Sequence, residues 1–249
     1  MKKILLLIVL FSQYTFSQFL EKKEDLKKYE GYFDFYYNPK ADEIYLEVDK
    51  IDSLFLYNHA LRSGVGSNDI GLDRGQLGGA SVVKFQRAGD KLLLVEPNQR
   101  YRAVTDNELE KQSIEEAFAK SVIYGFEIKE EKDGKLIIDL TPFIMEDAHG
   151  VAQRLKRGNY GSYKVSQNKS ALQLDRTKAF PKNVEFESLL TFEGSPQGGT
   201  VRSVVPDAAN ISVIQHYSFV ELPDDHYKKR IFDPRSGVNS ISYYDYATP

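Results

Sequence analysis

Apolar and polar residues alternate, or run in short apolar blocks, along most of this chain, and turn residues separate the blocks at close intervals. Residues 32–37 are rich in aromatics, residues 38–42 read Asn-Pro-Lys-Ala-Asp, and residues 44–48 read Ile-Tyr-Leu-Glu-Val. That order predicts a β-hairpin. Residues 54–61 predict a further strand. Residues 82–87 and 91–95 flank Ala88-Gly89-Asp90 and predict a second hairpin. Residues 126–130 and 136–140 flank Lys132-Asp133-Gly134 and predict a third. More strands are expected at 163–165, 171–174, 184–192, 201–205 and 211–222, with Ser195-Pro196-Gln197-Gly198-Gly199 joining two of them.

The pattern changes once. Thr105-Asp106-Asn107-Glu108 fits a capping box, with Thr105 as N-cap and Glu108 reaching back. Ile114, Phe118 and Val122 then recur every four residues, with Ala117 beside them, and Gly125 offers a stop. One long helix is expected there, and a second, short one fits within residues 142–155. The predicted fold class is mainly β (α+β), built of antiparallel hairpins and meanders with one long helix and a short second one. No internal repeat, low-complexity tract or composition shift marks a linker.

The first residues read as an address. Lys2 and Lys3 form a positive start, residues 4–11 are an unbroken apolar run, and Thr15 and Ser17 place small side chains at the −3 and −1 positions of a peptidase site. Residues 1–17 are therefore expected to be a signal peptide, cleaved before Gln18. Residues 18–30 follow as a charged lead-in, and residues 31–249 as one β-rich domain. The apolar run is far short of the ~20 residues that span a bilayer, and no later stretch is apolar enough, so no membrane span is expected. The mature protein is expected to be exported, to the periplasm or outside the cell.

Composition narrows the chemistry. The 249 residues include no Cys, which excludes disulfides, thiolate zinc sites, iron–sulfur clusters and a cysteine nucleophile. The net charge is −3, and losing Lys2 and Lys3 leaves 31 basic against 36 acidic residues, a net of −5. Such a balance gives no basic footprint, so no nucleic-acid partner is expected. Phe and Tyr are abundant, at 15 and 16 residues, which favours β-structure.

Four histidines come first among candidate residues. His59, His149, His216 and His226 include no H-E-x-x-H pair, the helical spacing that sets two imidazoles on one zinc. His216, Asp224 and His226 lie close in sequence, but solvated or hydrogen-bonded histidines are the preferred reading. Residues 63–79 hold six glycines. The stretch lacks the third glycine of a dinucleotide fingerprint and the G-K-[ST] of a P-loop. Asn68, Asp69 and Asp73 offer oxygens suited to Ca²⁺ without the EF-hand order. A structured loop using positive φ at its glycines is preferred, although its length is unusual for a mere connection. No G-x-S-x-G elbow is present. Asp233 and Arg235, beside Ser236, are read as a turn closed by a charge-assisted bond. The aromatic runs at 32–37 and 243–246 either stack on sugars or peptides or fill a sheet face.

Several ordered blocks carry a resemblance. They are Gly66-Ser67-Asn68-Asp69-Ile70-Gly71-Leu72-Asp73-Arg74-Gly75-Gln76-Leu77-Gly78, then Val95-Glu96-Pro97-Asn98 with Arg100-Tyr101-Arg102, Ala117-Phe118-Ala119-Lys120-Ser121 and Asp139-Leu140-Thr141-Pro142-Phe143. Phe180-Pro181-Lys182-Asn183-Val184-Glu185, Ser218-Phe219-Val220-Glu221-Leu222-Pro223-Asp224, Arg230-Ile231-Phe232-Asp233-Pro234-Arg235-Ser236-Gly237 and Tyr244-Asp245-Tyr246-Ala247-Thr248-Pro249 continue the series. From about residue 31 to residue 249 the chain resembles the N-terminal accessory region of large exported zinc-dependent metallopeptidases of Bacteroidetes. In that family the catalytic H-E-x-x-H helix lies further along the chain, and no position here matches a catalytic residue.

The resemblance implies a non-catalytic accessory or scaffold region, incomplete at its C-terminal side. It implies no cofactor in this chain, zinc being expected only in a catalytic domain. The implied partner is a metallopeptidase catalytic domain, in cis or in trans, with a peptide substrate beyond it. Asn68, Asp69, Asp73 and Arg74 in the Gly-rich loop, and Asp233 and Arg235 in the turn, are the expected contact residues, because glycines beside charges let backbone approach a partner. The alternative is a stand-alone envelope module that binds a glycan or peptide through its aromatic strands. A self-sufficient hydrolase has almost no sequence support.

Overall fold

A computed structural model of the chain describes residues 19–224, 226, 228, 233–236 and 242–247. Residues 1–17, expected to be a signal peptide, and His226's flanking residues 225 and 227, lie outside the described residues. In chain order come β1 (Lys27–Tyr29), β2 (Asp34–Asn38), β3 (Glu43–Val48), β4 (Leu54–Ser63), β5 (Leu77–Ala88), β6 (Lys91–Glu96) and β7 (Tyr101–Arg102). Then follow α1 (Glu108–Ala117), β8 (Ser121–Lys132), β9 (Lys135–Asp139), α2 (Thr141–Ile144) and α3 (Val151–Arg157). The rest is β10 (Gly161–Val165), β11 (Ala171–Leu172), β12 (Lys178–Phe180), β13 (Asn183–Pro196), α4 (Thr200–Val204), β14 (Asn210–Glu221) and β15 (Tyr244–Asp245).

Thirteen strands form one antiparallel sheet in the order β1-β2-β3-β9-β8-β6-β5-β4-β14-β13-β10, with β11 and β12 also on β13. The predicted hairpins are its local units. Asn38 Oδ1 accepts from the amides of Lys40 and Ala41, and Asp42 takes φ +56°, which closes the β2–β3 turn. Asp133 and Gly134 both have positive φ, the two-residue turn that matches strand twist between β8 and β9.

Alternation sets which face is buried. On β14, Ile211, Val213, Gln215, Tyr217 and Phe219 point inward; on β13, Val184, Phe186, Ser188, Leu190 and Phe192 do so. The sheet bends until its two ends meet. Phe35 of β2 packs on Phe186 of β13 at 5.2 Å, and Tyr32 N–H donates to the Phe180 carbonyl at 2.7 Å. Inside the bend, α2 supplies Phe143 to the aromatic core. The inward polar groups serve this short helix. Ser188 donates to Ile144 O at 2.7 Å, and Gln215 and Tyr217 donate to Glu146 O at 2.8 and 3.0 Å. They satisfy the Ile144 carbonyl at the helix end and add to the Ala148 N–H that Glu146 O already accepts at 2.9 Å.

Three expectations are corrected. The long helix is only the ten residues of α1, and its cap is Asn107, whose Oδ1 accepts from Leu109 N–H at 3.1 Å. Thr105 instead accepts from Asn107 N–H, two residues too early to cap the helix. Val122 belongs to β8, opposite Val95 of β6. The four-residue spacing is real, but Val122, Ile123 and Tyr124 gain a ladder in the sheet, while α1 buries no residue fully and has nothing to hold a longer helix. Residues 201–205, expected as a strand, lie mainly in α4. The lead-in contributes β1, whose Lys27, Lys28 and Tyr29 pair with Tyr37, Tyr36 and Phe35.

Candidate functional site

The Gly-rich segment is a packed loop between β4 and β5. Val65, Ile70 and Leu72 are buried, and Val65 N–H donates to Leu72 O across its neck. Arg154 Nε of α3 donates to Ile70 O at 2.8 Å, and Tyr160 Oη donates to Asp69 O at 2.9 Å. Gly78 and Gly79 are strand residues of β5 rather than loop. Asn68, Asp69 and Arg74 keep exposed side chains, and Asp73 is half-buried. Asp233 and Arg235 form the expected turn. The Asp233 carboxylate accepts from Arg235 N, Nε and Nη2, the last at 2.6 Å, and this holds it below its usual range. Loop and turn are thus each held by their own partners.

A larger surface feature lies around α1. Tyr101 of β7 stacks on Phe118 with centroids 3.9 Å apart and on Tyr244 of β15 at 5.2 Å. Tyr246 packs against Tyr101 and Phe118. Arg100 lies over Tyr101 and Tyr244, and Arg102 lies over Tyr243 at 4.4 Å. A parallel β7–β15 pair holds the two segments in register. Val104, Leu109, Tyr243, Tyr244 and Tyr246 are 48–75% exposed in this one lobe. Beside it, between α1 and the outer face of β5 and β6, opens a cleft of about 900 Å³ lined by Leu54, Lys84, Val95, Tyr101, Ile114 and Phe118.

A second polar feature crosses the outer face of β4, β14 and β13. His216 faces two carboxylates, Glu185 on Nε2 at 2.7 Å and Glu187 on Nδ1 at 3.0 Å. Glu187, fully buried, also receives Arg62 Nη1 at 2.7 Å, and Arg62 forks onto Asp175. Ser218 and Asn183 donate to Glu185. The bond to Glu185, then the second carboxylate, raise the His216 pKa against the effect of burial. Burial opposes ionisation of Glu185, but donors from His216, Ser218 and Asn183 outweigh it and hold the carboxyl below its ordinary range. His216 is thus hydrogen-bonded, as preferred from sequence. Its partners come from β13, not from Asp224 and His226; the i, i+2 polar pairs at 185/187 and 216/218 are the signal that marks the face.

This network has a pH signature. A raised histidine contributes stability below the unfolded value near 6.5 and loses it as pH rises through the folded value. A lowered carboxyl contributes above about 4.5 and loses it as pH falls through its folded value. The network's contribution should therefore be greatest between about pH 4.5 and 6.5. Urea unfolding of wild type and His216→Asn across pH 5–9 checks this: the gap between them should shrink at alkaline pH.

Fold and surface together define a β-rich domain with an exposed aromatic lobe beside a cleft. The family model described as "Domain of unknown function (DUF5117)" matches residues 75–249, and the chain belongs to this family. The match begins at the end of the Gly-rich loop and includes the whole aromatic lobe. No curated protein and no solved structure matches the chain. Among the described residues, no helix is long and apolar enough to cross a membrane.

Proposed function

We propose that this chain is a non-catalytic accessory domain of an exported zinc-dependent metallopeptidase, and that it docks on the catalytic part through the β7–α1–β15 lobe. The observation that carries this reading is the aromatic lobe itself. Stacked rings with arginines over their faces are what protein interfaces enrich, and Tyr243, Tyr244 and Tyr246 of this set are exposed. The peptidase association rests on the ordered sequence blocks described above. Asn68, Asp69, Asp73, Arg74, Asp233 and Arg235 serve as secondary contacts, and zinc belongs to the partner.

The cleft favours a second reading, a module that binds an extended glycan or peptide. Its mixture of apolar wall, amide and cationic side chains suits such ligands. One experiment separates the two. A separately produced H-E-x-x-H domain from a peptidase of the resembling family is titrated with the purified chain, following binding calorimetrically and chelator-sensitive peptide cleavage. Binding, with altered cleavage, is expected, and Tyr101→Ser with Tyr244→Ser should weaken it at least about tenfold, as for paired interface anchors. No binding and no change in cleavage would sink the docking reading. Saturable quenching of tyrosine fluorescence by oligosaccharides or peptides alone would support the second reading instead.

A further inference from the structure

His59 of β4 and His149, just before α3, face each other on the inner side of the sheet, ring centroids 5.5 Å apart and planes perpendicular. Each ring has Nε2 engaged and Nδ1 buried without a partner among the described residues. The engaged atoms fix the tautomers. His59 Nε2 accepts from Gly79 N–H at 3.1 Å, so in the neutral ring the proton sits on Nδ1. His149 Nε2 lies 3.2 Å from Gln76 Oε1, an acceptor, so there the proton sits on Nε2 and Nδ1 is bare. One ring thus presents a buried donor and the other a buried acceptor.

The pair sits where the Gly-rich loop joins the sheet. The β4–β5 register shifts between Asn58 and Ala60, so His59 occupies a bulge. Its ring packs against Gly78, where a Cβ would come within 2.1 Å of Nδ1 and Cε1. His149 is anchored by its own N–H to Gln215 Oε1 at 2.8 Å and reaches through Gln76 to the last loop residue.

We propose that His59 and His149 form an acid-sensitive latch that holds the C-terminal end of the Gly-rich loop, and that protonation releases it. A proton on His59 Nε2 turns an acceptor into a donor facing the Gly79 N–H. A proton on His149 Nδ1 adds a second buried N–H with no acceptor among the described residues. The groups around the rings are Tyr57 on β4 beside His59, Gln76 on the loop, and Asp147 on the segment before α3 near His149, with Gln215 of β14 on the His149 backbone N–H. Asp147 favours a charged His149, but its two oxygens cap α3 through Val151 and Ala152 N–H. Burial holds both rings below the ordinary histidine value, aided at His59 by the neighbouring ring. The latch is therefore shut at neutral pH and opens in mild acid, independently of what docks on the aromatic lobe.

Two measurements test it on the full chain. Nitrogen-15 shifts of the imidazoles at pH 7.5 should show His59 protonated on Nδ1 and His149 on Nε2; the opposite tautomer at either ring overturns the latch. Amide hydrogen exchange over residues 64–79, corrected for intrinsic rates, should speed up at least about tenfold from pH 7.5 to pH 5.0 relative to β6. His59→Gln with His149→Gln keeps an acceptor and a donor without titration and should abolish that acceleration. Unchanged wild-type exchange, or acid opening that persists in the double variant, overturns the proposal. The tautomer measurement stands even where that variant fails to fold.

Discussion

Truncating Phe219 to alanine should lower stability by about 4 kcal/mol, the middle of the range for a buried aromatic. Phe219 is fully buried on β14, and its ring meets those of Phe33, Phe55, Tyr57, Phe85, Phe143 and Phe186. These come from β4, β5, β13, α2 and the turn before β2, so the lost ring leaves a cavity that no single element can collapse into. Urea unfolding of the purified chain measures it. Phe219→Leu, which conserves more volume, should cost roughly half as much. A cost below about 1.5 kcal/mol would mean that the six rings repack freely.

Removing the Glu187 carboxylate should be nearly as severe. Glu187→Ala leaves Arg62 and His216 facing a buried void, and breaking such a pair typically costs about 3 kcal/mol or more. Arg62 keeps Asp175 and is partly exposed, which limits the loss on its side. Arg62→Ala in the Glu187→Ala background should therefore cost much less than Arg62→Ala alone, a coupling of about 1–3 kcal/mol in a double-mutant cycle. Additive losses would show that Glu187 and Arg62 stabilise the sheet separately. Glu187→Ala should also bring the His216 titration down, since one of its two carboxylate partners is gone.

Local order was legible and long-range order was not. Asp133-Gly134 and Asn38 with Asp42 announce their hairpins because their side chains or missing Cβ meet the turn's own needs. Nothing local says that β4 pairs with β14 or β3 with β9, and the first of these, with β13 on the other side of β14, creates the outer-face network. Glu187 and His216 look like solvated strand positions until Glu187 is placed opposite His216. The aromatic lobe was half visible. Arg100-Tyr101-Arg102 and Tyr243–Tyr246 stand out as blocks, but only the β7–β15 pair brings them together. The helix was overextended because a spacing of four residues does not show that no core lies beneath it.

The placement of β4 also governs how the chain is made. One partner appears early: β5 follows it directly, and β6 and β8 extend that meander. Its other neighbour, β14, is synthesised only after residue 209, so the ten-residue edge of β4 stays open while most of the chain emerges. Pairings of such large sequence separation form slowly, and an open edge recruits other strands meanwhile. A nascent chain of this design depends on being kept unpaired until its last long strand arrives, and one halted before β14 carries an aggregation-prone seam through the middle of its sheet.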